Sequence, residues 1–170
     1  SGLPFEVAMI RNHYVGRTFI QPSQNMRDFS VRVKLNPVRS MIKNKRIIIV
    51  EDSIVRGTTI RTRIKKLREL GAREIHMRVS CPPIKFPCFY GIDFSSKGEL
   101  IAANNSVEDI ARYIGLDSLH YLSVDGLLRA VGADPVDPKY CLACFDGDYV
   151  IPPCAEGSKN CLDESNALTW

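Results

Sequence analysis

The residues with the clearest chemical purpose lie together at 51–59. Glu51 and Asp52 are adjacent carboxylates. They follow Ile47-Ile48-Ile49-Val50, a continuous apolar run that is β-branched throughout. Such a run predicts a parallel strand buried on both faces, and open α/β sheets bind ligands beyond the carboxyl ends of their strands. Carboxylates at that place can accept from sugar hydroxyls or hold Mg²⁺. Ser53-Ile54-Val55-Arg56 then lead into Gly57-Thr58-Thr59, where a helix should open. A helix start offers free N–H groups and a positive dipole end, which suit a phosphate. Threonine hydroxyls can donate as well. Acceptors and donors a few residues apart fit the two ends of a sugar phosphate. The plain alternative is that Thr58 or Thr59 only caps the helix and the acidic pair is solvated. The order of apolar strand, acidic pair, short linker and Gly-Thr-Thr favours the ligand. The segment is not a Walker loop, since the Lys after Gly and the longer Gly spacing are missing.

Cysteine is the second candidate chemistry. The six are Cys81, Cys88, Cys141, Cys144, Cys154 and Cys161. An even count suits a disulfide framework in a small secreted chain. Here the core is adequate and no signal segment is visible, so reduced thiols in the cytoplasm are expected. Cys141-Leu142-Ala143-Cys144 is a C-x-x-C, open to three readings: redox pair, half of a zinc knuckle, or cluster ligands. Cys88, within Pro87-Cys88-Phe89-Tyr90-Gly91, adds a third thiol. Cys81 ends an expected strand and reads as a small core residue. His13, His76 and His120 read as ordinary surface or core residues.

Elements must position these groups. Phe5 to Ile10 is strand-like, and Arg32 to Leu35 alternates charged and apolar residues as a short strand would. Between them Pro22 breaks any helix, and a loop that long is usually functional or mobile. Ile60, Ile64, Leu67 and Leu70 mark one face of a helix that Gly71 should end. Ile75, Met77 and Val79 alternate with His76 and Arg78 in the next strand. Strand, helix and strand within about 35 residues make a βαβ unit. Ser106 should cap a helix that carries Val107, Ile110, Tyr113 and Ile114 inward and stops at Gly115. Ser123 should cap another, with Val124, Leu127, Leu128 and Val131 inward, ended by Gly132. Beyond Ala133 the chain is turn-rich, and no internal repeat is visible.

Composition bounds the rest. The chain has 170 residues, 45% hydrophobic and 25% charged, enough for one domain with a real core. Gly (11) and Pro (10) are near average and unpatterned, which excludes collagen-like or low-complexity sequence. No apolar run approaches the ~18 residues of a membrane span, so no membrane partner is expected. Lys and Arg (23) exceed Asp and Glu (19) by four. A nucleic-acid binder usually carries a dense basic stripe; none is expected here. The basic residues gather between Arg11 and Arg68, which suits a phosphate-bearing small molecule. The chain opens in mid-pattern without an initiator Met, as a piece of a longer protein would.

The 51–59 segment resembles the phosphoribosyl pyrophosphate (PRPP) signature of the type I phosphoribosyltransferases. Four stretches extend the likeness. They are Tyr14-Val15-Gly16-Arg17-Thr18-Phe19-Ile20-Gln21-Pro22-Ser23-Gln24, Asp52 to Thr59, Phe89-Tyr90-Gly91-Ile92-Asp93 and Glu99-Leu100-Ile101-Ala102. Together they resemble the glutamine PRPP amidotransferases, from about residue 1 to about residue 152. The resemblance implies an α/β fold of the type I phosphoribosyltransferase kind, a mostly parallel twisted sheet flanked by helices, incomplete at its N-terminal side. It implies a flexible loop at about 11–36, a PRPP loop at 51–59 and a tail at 153–170. The glutaminase domain and the pyrophosphate loop of the family fall outside this sequence, so a missing sheet strand and an exposed sheet edge are expected.

The implied reaction is the first step of de novo purine synthesis: ammonia displaces pyrophosphate from C1 of PRPP, giving 5-phosphoribosylamine. By matching position, Glu51 and Asp52 would contact the ribose hydroxyls and Mg²⁺. Ser53, Ile54, Val55, Arg56, Gly57, Thr58 and Thr59 would hold the 5′-phosphate. No residue is assigned as acid, base or nucleophile. Glu51 stands where the family usually has Asp. In the iron–sulfur branch of the family, Cys88, Cys141 and Cys144 match three ligands of a four-iron, four-sulfur cluster whose fourth ligand lies outside this chain. The family also implies a glutaminase domain as ammonia source, purine nucleotide inhibitors and a homo-oligomer, with Arg56 near a nucleotide site. The competing readings are a salvage phosphoribosyltransferase, a PRPP-binding regulatory protein of the same fold, and a small metal-binding module built on the C-x-x-C.

Overall fold

The computed structural model describes residues 2–11, 35–92, 97–134 and 139–151. Two short strands come first, β1 (Met9–Arg11) and β2 (Leu35–Pro37). They pair antiparallel, with Arg11 opposite Leu35. The two ends of the expected flexible loop therefore meet, while residues 12–34 lie outside the described residues. β1 begins and ends later than its apolar pattern suggested, and β2 runs on to Pro37. A short helix, α1 (Arg39–Ile42), leads on and buries Ile42 completely.

The scaffold of the site is a three-stranded parallel sheet: β3 (Arg46–Glu51), β4 (Glu74–Val79) and β5 (Ser118–Tyr121), in the order β3-β4-β5. In register, Ile49 lies opposite Met77 and Met77 opposite Leu119. Helix α2 (Thr58–Glu69) connects β3 to β4, as the βαβ pattern required. After β4 come a 3₁₀ turn (Lys97–Glu99), α3 (Ile101–Asn104) and α4 (Val107–Ile114). Helices α5 (Val124–Ala130) and α6 (Ala143–Asp146) follow β5.

The core lies between the sheet and helices α2 and α4. Ile49, Ile75, Met77, Val79 and Leu119 meet Ile60, Ile64 and Leu67 of α2 and Ile110 and Ile114 of α4. Each fully buried aliphatic side chain of this kind contributes roughly 1.5–3 kcal/mol. The helices end where their sequences said. Gly71 and Gly115 adopt the left-handed conformation past α2 and α4. Ser106 and Ser123 accept from the backbone N–H groups of Asp109 and Gly126 at 3.1 and 3.0 Å.

Three expectations are corrected. β3 is not buried on both faces: Ile48 and Val50 are 46% and 72% exposed. β4 is the central strand, and β3 is an edge strand among the described residues. Helices cover one sheet face, and on the other Ile48 and Val50 stand beside His76 and Arg78. Tyr113 is turned outward, where the Arg61 guanidinium lies 4.6 Å from its ring centre. On α5 only Leu128 is fully buried, and Val131 is exposed. No helix among the described residues is long and apolar enough to cross a membrane.

Candidate functional site

β3 delivers Glu51 and Asp52 to the carboxyl edge of the sheet, where their backbone is fixed from β4. The Glu51 carbonyl accepts from the Ser80 N–H at 2.9 Å and from its hydroxyl at 3.4 Å. The two side chains then diverge. Alternation puts Glu51 on the same sheet face as Ile47 and Ile49, toward α2. There its Oε2 takes a 3.0 Å ion pair from Arg63 Nη1. Asp52 is exposed, and Ser53 Oγ donates to its Oδ1 at 2.9 Å.

The loop beyond is anchored at intervals. Ile54 is buried. The Val55 carbonyl accepts from Ile101 N–H at 2.9 Å. Arg56 pairs with Glu99 at 3.2 Å, and both line an open hollow of about 310 Å³ with Asn104, Asn105, Asp109 and Tyr113. Gly57 then turns into the left-handed region, with φ at 75°. A Cβ there would stand 3.0 Å from Ile101 Cδ1. Glycine is thus required twice, by conformation and by space.

Gly57, not Thr58 or Thr59, is the N-cap of α2, and no side chain caps this helix start. Both threonines lie in the first turn with exposed side chains. No acidic residue lies in that turn. The capping alternative for Thr58 and Thr59 is therefore not what the helix adopts. Exposed hydroxyls and first-turn N–H groups are left together, one loop away from Asp52. An anion would be held here by dipole and hydrogen bonds. A divalent cation at Asp52 fits the donor set, because Mg²⁺ is commonly held by one or two carboxylates with substrate oxygens.

The thiols form a second cluster. Phe86 and Lys85 donate their N–H groups to the Cys144 carbonyl at 3.1 and 3.0 Å, which ties the 85–88 segment to α6. Tyr149 packs edge-on against Phe89 and Tyr90 and donates to the Pro87 carbonyl at 2.6 Å. Tyr90 N–H points at Cys88 Sγ, 3.4 Å away. Burial raises the Cys144 thiol, and neighbouring Cys88 and Cys141 raise it further. Cys88 and Cys141 lie within electrostatic reach of Cys144, and all three are free thiols. Among the described residues, no three Cys, His, Asp or Glu side chains are arranged to hold a single metal ion. Cys81 packs at the margin of the core, as its place after β4 suggested. Burial, then Asp52 and Cys144, push its thiol up to about 11. Cys154 and Cys161 lie outside the described residues, as does Asp93.

Two residues stand out only in the structure. Nothing in the sequence spacing ties Arg63 to Glu51, its ion-pair partner in the fold. The Tyr121 hydroxyl, at the carboxyl end of β5, is buried with no partner among the described residues. Burial pushes it up to about 12. His76 is satisfied by Ser118 at 2.9 Å and Glu74 at 3.1 Å, as a structural histidine would be.

No protein-family model matches the chain. Curated relatives do. An amidophosphoribosyltransferase of Synechocystis is 51% identical over 169 residues, 98% of this chain and 34% of its own length. That of Bacillus subtilis is 54% identical over 151 residues, 88% of this chain and 32% of its own. In three dimensions the chain is similar to the solved B. subtilis glutamine PRPP amidotransferase complexed with ADP and GMP. The TM-score is 0.74 at 54% identity, covering 88% of this chain and 33% of that one. Over nearly its whole length this chain is homologous to part of the amidophosphoribosyltransferases. It spans about a third of the length of the curated relatives it matches. The type I phosphoribosyltransferase fold expected from the 51–59 segment is the fold found. The match extends far beyond the PRPP segment, which is all that the salvage phosphoribosyltransferases were expected to share.

Proposed function

We propose that this chain supplies the phosphoribosyl half of an amidophosphoribosyltransferase. The whole enzyme makes 5-phosphoribosylamine, pyrophosphate and glutamate from PRPP, glutamine and water, the first step of purine synthesis. One observation carries the reading. The uncapped start of α2, with Thr58 and Thr59 exposed, lies directly beyond Glu51 and Asp52 at the carboxyl edge of a parallel sheet. That juxtaposition suits a molecule with a phosphate at one end and sugar hydroxyls at the other.

In this reading the 5′-phosphate is held by the Thr58 and Thr59 hydroxyls and the N–H groups around Gly57. The ribose hydroxyls donate to Glu51 and Asp52. Mg²⁺, when bound, neutralises the pyrophosphate leaving group. Displacement at C1 develops positive charge on the sugar, which carboxylates held at its hydroxyls would stabilise. The protein's work is positioning and electrostatics, so no side-chain nucleophile is required.

Cys88, Cys141 and Cys144 would hold three corners of a four-iron, four-sulfur cluster. Soft thiolates suit iron–sulfur chemistry, and a four-iron cube is wider than the single-ion arrangement these thiols lack. Such a cluster is structural in this reading, joining the 85–91 segment to α6. Ammonia comes from a glutaminase domain of the longer protein, which is a cytoplasmic homo-oligomer inhibited by purine nucleotides. The hollow beside Arg56 is the nucleotide contact on this chain. The test is pyrophosphate release from PRPP by the intact protein, with ammonia and then with glutamine as nitrogen source. Release with both supports the reading, and release with neither removes it.

A further inference from the structure

Two neighbouring carboxylates at the end of β3 have unlike surroundings. Glu51 has Arg63 Nη1 at 3.0 Å, and both side chains are only about a quarter exposed, at 22% and 24%. Asp52 is exposed, and among the described residues its carboxylate accepts a hydrogen bond from the Ser53 hydroxyl at 2.9 Å. Two bare carboxylates side by side would repel each other and compete for one cation. An arginine on one of them removes that conflict. It also fixes where the neutralised carboxylate points, because a part-buried guanidinium is rigid and always charged.

Arg63 is well placed for this. It lies one turn beyond Thr59 on α2, whose start is the proposed phosphate cradle. The same helix thus binds the substrate at its first turn and holds Glu51 from its second. The longer reach of Glu at position 51, against the Asp expected there, spans the gap from β3 to α2.

We infer that Arg63 is a positioning residue of the phosphoribosyl site. It holds Glu51 as a charge-neutralised acceptor for a ribose hydroxyl and leaves Asp52 as the carboxylate that faces the metal. The inference rests on the proposed PRPP site and adds a division of labour between its two acids. Arg63 itself touches neither substrate nor metal.

The test is calorimetric titration of the intact protein with PRPP across a range of Mg²⁺ concentrations, alongside thermal melting. Arg63→Met should weaken PRPP binding about tenfold, the worth of one charge-assisted hydrogen bond, without moving the Mg²⁺ midpoint. Arg63→Lys should recover most of that loss. In a Glu51→Gln background Arg63→Met should have no further effect, because its partner is already neutral. Asp52→Asn should instead raise the Mg²⁺ needed for binding. An Arg63→Met protein that binds PRPP as tightly as wild type, with only its melting temperature lowered, would overturn the inference and make Arg63 a helix-to-strand brace. So would a Mg²⁺ midpoint that moves with Glu51→Gln and not with Asp52→Asn. A wild type that binds no PRPP would remove the site itself, and the inference with it.

Discussion

Gly57 and Ile101 touch in a way that fixes the site's shape. A Cβ at position 57 would stand 3.0 Å from Ile101 Cδ1, while the N–H of Ile101 holds the Val55 carbonyl at 2.9 Å. The start of α3 therefore clamps the loop from both sides of Arg56. The loop's course depends on the absence of one methyl group.

Gly57→Ala should accordingly damage binding and stability together. The left-handed backbone alone costs about 1–2 kcal/mol for a residue with a Cβ. The 3.0 Å contact adds to that unless Ile101 moves. Chemical denaturation should report a loss of at least that size, and PRPP binding should fall further than stability does. An alanine variant as stable as wild type would mean that the loop tolerates another course.

Acid sensitivity should trace to Asp117. Burial works to raise its carboxyl, but the Ile75 N–H at 2.6 Å and the Arg68 guanidinium outweigh burial and hold it below the ordinary carboxylate range. A folded-state value below the unfolded one contributes stability that is complete above the unfolded value of about 3.9. It is lost as pH falls through the folded value. Asp117→Asn should cost about 1 kcal/mol at neutral pH, given partial exposure to solvent. It should also flatten the fall in melting temperature below about pH 4. An unchanged acid limb would assign that sensitivity to other carboxylates.

The thiols should divide into two classes. Replacing Cys88, Cys141 or Cys144 with Ser should abolish iron content and visible absorbance of the intact, anaerobically prepared protein. Cys81→Ala should leave both in place. With its thiol pushed up to about 11, Cys81 should also be slow to react with iodoacetamide at pH 8, because the thiolate is the nucleophile. Iron retained in the Cys144→Ser protein, or lost from Cys81→Ala, would contradict the assignment.

Much of this was legible in the residues, and the limits are instructive. The alternation of Ile75, Met77 and Val79 with His76 and Arg78 located β4 and its buried face. The βαβ unit followed from three patterns in a row. Ser106 and Ser123 announced their helix starts because capping is local chemistry. The run Ile47-Ile48-Ile49-Val50 announced a strand correctly but misled about its neighbours. A β-branched run records hydrophobicity, not which faces are covered, and Ile48 and Val50 are open. β5 was missed because four residues, one of them the exposed His120, carry too little pattern. Short helices such as α1, α3 and α6 have the same difficulty. Within the site, the order Glu51-Asp52 to Gly57-Thr58-Thr59 marked the carboxyl end of a strand and a helix start, and the structure puts both there. The Arg63 partnership could not be read, because it depends on how α2 lies across the end of β3.

The most direct measurement is calorimetric titration of the intact protein with PRPP and Mg²⁺, wild type against a Thr58→Ala/Thr59→Ala variant and against Asp52→Asn. The wild type should bind only with Mg²⁺ present. If each hydroxyl donates to a charged phosphate, the double threonine variant should lose binding by about tenfold or more. Asp52→Asn should lose it as well, while both variants melt as the wild type does. A wild type that ignores PRPP, or variants that bind it unchanged, would contradict a phosphoribosyl site at the carboxyl edge of this sheet.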